Sequence, residues 1–114
     1  MLHKAATYDA LFAGFRWPLP EHYNIGVDVC DRHATGEGRL ALIFQEDGGA
    51  VRRFTFDDIM ALSNRFANVL SAHGLRRGDR LAILLPQAPE TAVAHIAAYK
   101  AGLIAVRVLD AGSR

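Results

Sequence analysis

Residues 74–106, GLRRGDRLAILLPQAPETAVAHIAAYKAGLIAV, leave few folds open to this chain. Leu81 to Leu85 form a continuous apolar run, the pattern of a strand covered on both faces. Pro86 and Pro89 bracket a short turn, and Pro89 suits a first helical position, where no N–H is needed. Ala92, Val93, Ile96, Ala97 and Lys100 then follow helical spacing, and Gly102 stops the helix because it can take a left-handed backbone without a Cβ clash. Leu103 to Val106 is a second apolar run. Strand, helix, strand at this length predicts a βαβ unit with parallel strands and a right-handed crossover.

The segments ahead of it supply helices and a hairpin. Thr7 caps a predicted short helix through Tyr8, Leu11, Phe12 and Phe15, which ends before Pro18. Asn24 is the N-cap of a second, with Asp28 in its early turns and Ile25, Val29, Cys30 and Ala34 as its buried stripe; Gly36 and Gly38 end it. Leu40 to Phe44 and Val51 to Phe54, joined through Gly48-Gly49, read as a β-hairpin. Thr55 with Asp58 forms a short-armed capping box. Ile59, Leu62, Phe66, Val69 and Leu70 form one face of the helix that follows, placing Phe66 inside, against the sheet. The expected fold class is α/β: a partial layered subdomain, a β-hairpin followed by a βαβ unit, which must supply its own cover or be part of something larger.

Composition excludes several functions. A chain of 114 residues is one domain at most, or a piece of one. With 51% hydrophobic and 22% charged residues it reads as globular rather than disordered. The net charge of +1 singles out neither nucleic acid nor an anionic membrane. No apolar run approaches the roughly 18 residues of a membrane span. The start of the chain lacks the long apolar stretch of a secretory signal, and the single Cys30 fits a reducing compartment, so the expected location is cytoplasmic.

Candidate chemistry is sparse. Cys30, Asp31 and His33 have metal-ligating side chains, but zinc needs about four ligands and no partner cluster accompanies them; the expected arrangement is a buried Cys beside an exposed Asp and His. A Cys30–His33 nucleophile lacks an orienting third group. Gly36, Gly38, Gly48 and Gly49 read as turns, because none follows a strand and opens a helix in a phosphate-loop pattern. Pro86-Gln87-Ala88-Pro89 lies ahead of a helix N-terminus, where anions bind, but its two prolines lack N–H donors. Arg76, Arg77 and Arg80 surround Asp79 in what reads as a solvated turn, with Asp79 pairing one arginine; without interleaved aromatics they are not a nucleic-acid surface. No catalytic, cofactor-binding or metal-binding residue is assigned.

The motif Gly-Leu-Arg-Arg-Gly-Asp-Arg-Leu-Ala-Ile (74–83), then Pro86, Glu90 and Lys100-Ala101-Gly102, resembles the N-terminal part of AMP-forming acyl-CoA synthetases. The segment HYNIGVDVCDRHA (22–34) is similar to the Asn-initiated helix of the acetyl- and medium-chain members, and residues 41–79 resemble their hairpin, Thr-capped helix and turn. The resemblance implies a chain whose complete form activates a carboxylic acid with ATP and Mg2+ and passes the acyl group to coenzyme A, as in fatty acid metabolism. It also implies that the phosphate-gripping loop and the catalytic C-terminal Lys of that family belong to later segments. Residues 1–106 are therefore read as the N-terminal portion of such a synthetase domain, and 107–114 as a tail without family pattern, the end a truncated or frameshifted gene would leave. The expectation is a chain inactive by itself, binding no cofactor of its own and prone to self-association. The alternative is a non-catalytic α/β module that binds a partner.

Overall fold

Each element of the fold begins where its local chemistry favours it. The computed structural model describes residues 4–108. Thr7 Oγ1 accepts from Ala10 N at 3.2 Å and starts α1 (Tyr8–Gly14). Asn24 Oδ1 accepts from Val27 N at 3.2 Å and starts α2 (Ile25–Val29), which a 3₁₀ turn (Asp31–His33) follows. β1 (Leu40–Gln45) and β2 (Val51–Thr55) pair antiparallel, with an irregularity between Leu40 and Leu42. Thr55 and Asp58 form the expected capping box: Thr55 Oγ1 accepts from Asp58 N at 3.1 Å and Asp58 Oδ2 accepts from Thr55 N at 2.8 Å. That box opens α3 (Phe56–Ala72). β3 (Arg80–Ile83), α4 (Pro89–Lys100) and β4 (Ile104–Arg107) form the strand–helix–strand unit, with β3 and β4 parallel and Arg80 opposite Ile104. The α/β reading is borne out, with hairpin and parallel pair as separate two-stranded sheets.

α4 is the element the others meet. It packs against α2, α3, β3 and β4, and three of its alanines, Ala94, Ala97 and Ala98, are buried. Small side chains let several neighbours approach at once, so burial on α4 is not confined to the stripe of Ala92, Val93, Ile96 and Ala97. Leu70, Ala98 and Leu103 form a central cluster, with Phe66, Leu75, Leu81 and Ala105 against it.

The structure departs from the sequence reading at several points. α2 is shorter than expected: Cys30 leaves helical geometry, and the chain continues as the 3₁₀ turn. Its buried side consists of Gly26 and Cys30, whereas Ile25 and Val29 face outward. The reason is close approach, since a Cβ on Gly26 would lie 2.6 Å from Lys100 Cγ and 3.0 Å from Ile96 O. α3 packs chiefly on α4 rather than on a sheet. Its buried positions are Ile59, Ser63 and Leu70; Phe66 is part-buried in the helix–strand junction, and Leu62 and Val69 are exposed. β3 ends at Ile83, and Leu84, ahead of Pro86, is 62% exposed. The proposed 107–114 tail falls largely on 109–114, outside the described residues.

Gly26→Ala tests the glycine-mediated crossing. The added methyl must displace Lys100 or separate α2 from α4, which should cost about 1–3 kcal/mol. At roughly 4–8 °C per kcal/mol for a domain near this size, a thermal melt should show a clear fall in Tm. An unchanged Tm would mean that α2 does not hold this position.

Candidate functional site

Lys100 ends α4 at the point where three segments converge. Its side chain is only 9% exposed, and its ammonium meets Asp31 Oδ1 at 2.5 Å, Ser63 Oγ at 2.8 Å and Asn64 Oδ1 at 2.9 Å. Its backbone carbonyl accepts from Asn24 Nδ2 at 3.1 Å. Ser63 and Asn64 accept hydrogen bonds from the ammonium, whereas Asp31 Oδ1 meets it as an ion pair without hydrogen-bond alignment. Ser63, fully buried on α3, also donates to Met60 O at 3.1 Å, so its hydroxyl both gives and accepts.

Beside Lys100 a broad cleft of about 700 Å³ opens between residues 20–25 and 99–103. Glu21, His22, Tyr23, Arg77 and Tyr99 line it with Lys100. Gly102 shapes one wall: with φ +69° and a built Cβ only 2.9 Å from Arg77 Cγ, it lets the arginine stem lie across the backbone. On the outer side, the Tyr23 hydroxyl donates to Asp28 Oδ2 at 2.7 Å and Arg32 pairs with the other carboxylate oxygen. These bonds, Tyr23 first and Arg32 second, hold the Asp28 carboxyl below its usual range, and the same bond pushes the Tyr23 phenol up.

The residues singled out by type are placed as follows. Cys30 is 1% exposed, with Sγ 3.8 Å from Phe56 O, and burial pushes its thiol up. Asp31, expected to be exposed, is instead turned inward against Lys100, because the ammonium needs an anion at that depth. His33 packs its ring 5.0 Å from Phe56, with Nδ1 3.4 Å from an Arg39 guanidinium nitrogen. Among the described residues no group of three or more His, Cys, Asp or Glu is placed to hold a metal ion. Gly36 and Gly49 take positive φ in turns, and Gly36 N donates to Asp57 Oδ1 at 2.9 Å. In the 86–89 loop Thr91 Oγ1 donates to Pro86 O at 2.7 Å, and Ala88 caps α4 without a side-chain bond. Among the described residues Asp79 pairs with no arginine side chain; its Oδ2 accepts from Arg76 N at 2.7 Å, closing the turn through backbone. Among the described residues, these do not compose a cradle for ATP with Mg2+.

Lys100 was legible only as a helical position. The available signal was a cation completing an otherwise apolar stripe of Ala92, Val93, Ile96 and Ala97, which calls for a buried anion.

A family model described as AMP-binding enzyme matches residues 30–113. The chain belongs to that family. The acetyl-coenzyme A synthetase of Magnetococcus marinus is 33% identical over 99 residues, 85% of this chain and 15% of that protein. The acetyl-coenzyme A synthetase of Syntrophus aciditrophicus is 41% identical over 91 residues, 78% of this chain and 14% of that protein. Among solved structures, a Brucella canis acyl-CoA synthetase superposes with TM-score 0.69 at 35% identity, covering 73% of this chain and 15% of that one. A fatty acid AMP ligase from Legionella pneumophila shares the fold, with TM-score 0.70 at 22% identity over 78% of this chain and 16% of its own. This AMP-binding-family chain thus spans about 15% of the length of the curated relatives it matches, and its fold is that of their N-terminal region.

Cys30 supplies a pH test of the packing around the site. A thiol whose folded pKa is raised contributes stability that is fully present below its unfolded value, about 8.5, and is lost as pH rises through the folded value. Tyr23 acts in the same direction at higher pH, whereas Asp28 contributes above about 3.9 and loses its contribution in acid. The Tm should therefore fall above about pH 9, and Cys30→Ala should flatten the first part of that fall. An identical alkaline slope in the variant would show that the thiol is not the titrating group.

Proposed function

We propose that this chain serves as the N-terminal scaffold of an AMP-forming synthetase that converts a carboxylic acid to its acyl-adenylate and then to the coenzyme A thioester. The match of residues 30–113 to the AMP-binding family carries this reading, and the names of the relatives point to acetate as the acid. The whole reaction draws on ATP, Mg2+ and coenzyme A. The part given to residues 1–106 is structural: the parallel β3–β4 pair and the α3–α4 pair form a platform for the segments that carry the chemistry. Among the described residues no helix is long and apolar enough to cross a membrane, and the buried free Cys30 suits the reducing cytoplasm. The comparisons do not favour the alternative of a stand-alone binding module.

Adenylation requires preorganised charge around the reacting phosphorus, and the residues near Lys100 are already engaged with one another. The isolated chain should give no acid-dependent ATP–pyrophosphate exchange above background. A chimaera of the Magnetococcus marinus synthetase carrying residues 30–108 of this chain in the corresponding place should retain acetate-dependent exchange. Exchange by the isolated chain that a point substitution abolishes would overturn the scaffold role, and a folded but inactive chimaera would overturn the family assignment of function.

Self-association of the isolated chain is the second expectation. Leu84, Ile104 and Val106 are exposed around a parallel pair that, among the described residues, has two open edges, and such edges template pairing with another chain. Size-exclusion chromatography with light scattering should detect oligomers growing with concentration. A monomer at all concentrations would show the edges to be protected.

A further inference from the structure

We propose that Lys100 is a clasp that holds residues 20–33 as a flap over the cleft, and that breaking its contact with Asp31 opens this flap while α3, α4 and the parallel strands stay folded.

The flap has little apolar attachment. Ile25, Val27 and Val29, the branched side chains of α2, are all about half exposed. The face of α2 that meets α4 offers a glycine, which has no side chain to bury, and then Cys30. α1, ahead of it, buries none of its residues. Apart from Cys30 and the His33 ring, which both sit against Phe56, the attachment is polar and converges on Lys100. Asn24 holds the Lys100 carbonyl at the start of α2, and Asp31 holds the Lys100 ammonium just beyond its end. The stem of Lys100 passes directly beneath Gly26 between these two points.

The other side of the clasp is fixed. Ser63 and Asn64 on α3 hold the same ammonium, so its position survives loss of the flap, with α3 and α4 still joined through Leu70 and Ala98. Removing either member of a buried ion pair leaves the other charge uncompensated, and the segment with the least apolar burial is the one that moves to hydrate it. Asp31 is that member: its side chain is 23% exposed against 9% for Lys100. Gly36 provides a hinge. Its φ is +78°, nothing crowds the place of its Cβ, and the Gly36 N–H bond to Asp57 Oδ1 pins the chain to the start of α3. The cleft loses one wall when the flap lifts, since residues 20–25 line it.

Cys30, the only cysteine and 1% exposed, reports opening directly. The experiment measures the rate of Cys30 alkylation by a maleimide in the full chain, alongside hydrogen exchange of the Leu70 and Ala98 amides. Lys100→Met keeps an apolar stem under Gly26 and removes the charge. It should accelerate alkylation at least about tenfold, with protection at Leu70 and Ala98 changed by less than about twofold, and Asp31→Asn should act in the same direction. In the unsubstituted chain, alkylation should be nearly independent of low denaturant, the mark of a local opening. An unchanged alkylation rate in a folded Lys100→Met chain overturns the proposal. So does acceleration matched by equal loss of protection at Leu70 and Ala98. Should the variant fail to fold, a steep denaturant dependence of alkylation in the unsubstituted chain, equal to that of global unfolding, overturns it as well.

Discussion

Taking the Lys100 ammonium out of water carries a penalty of several kcal/mol, and the polar arrangement of this chain is built to offset it. One carboxylate, one hydroxyl and one amide oxygen are delivered by segments that share no local structure: Asp31 from the 3₁₀ turn, Ser63 and Asn64 from successive positions on α3. Because a buried charge tolerates neither a missing partner nor a displaced one, the requirement fixes where α3 and the 3₁₀ turn lie relative to α4. Hydrophobic burial alone would leave that choice loose, since α4 is apolar and small-chained on several sides.

The local parts of this fold could be read before any coordinates. The Thr55–Asp58 box, the Thr7 and Asn24 caps, the hairpin through Gly48-Gly49 and the strand–helix–strand unit all depend on residues within a few positions of one another. Each occurs close to where those residues place it. What periodicity did not convey is which face of a helix wins when two are partly apolar. On α3 the buried face runs through Ile59, Ser63 and Leu70, because Ser63 is drawn in by Lys100 and leaves Leu62 and Val69 outside. On α2 the absence of a side chain at Gly26, rather than the presence of Ile25 and Val29, decides the contact.

The candidate site divides in the same way. Gly36 and Gly49 were recognisable as turns from their residue type, and both take positive φ. The Lys100 cluster was not recognisable, because Asn24 lies 76 residues and Ser63 lies 37 residues away along the chain. Asp31 looked like a solvated helix residue for the same reason. Its partner could be named only by asking what a lysine was doing in the apolar stripe of α4. A cation at such a place is a long-range statement written in a local pattern, and periodicity has no term for it.

Trp17 is the only tryptophan of the chain, and it stands 76% exposed, its ring edge-on to Phe15 at 5.0 Å and not part of the Leu70–Ala98–Leu103 cluster. Its indole is already solvated in the folded state, so its emission reads the environment of the segment between α1 and α2 and is nearly blind to the core. A spectroscopist following tryptophan fluorescence would watch this protein lose its packing with little change in signal, and would see an early transition only if that segment moved.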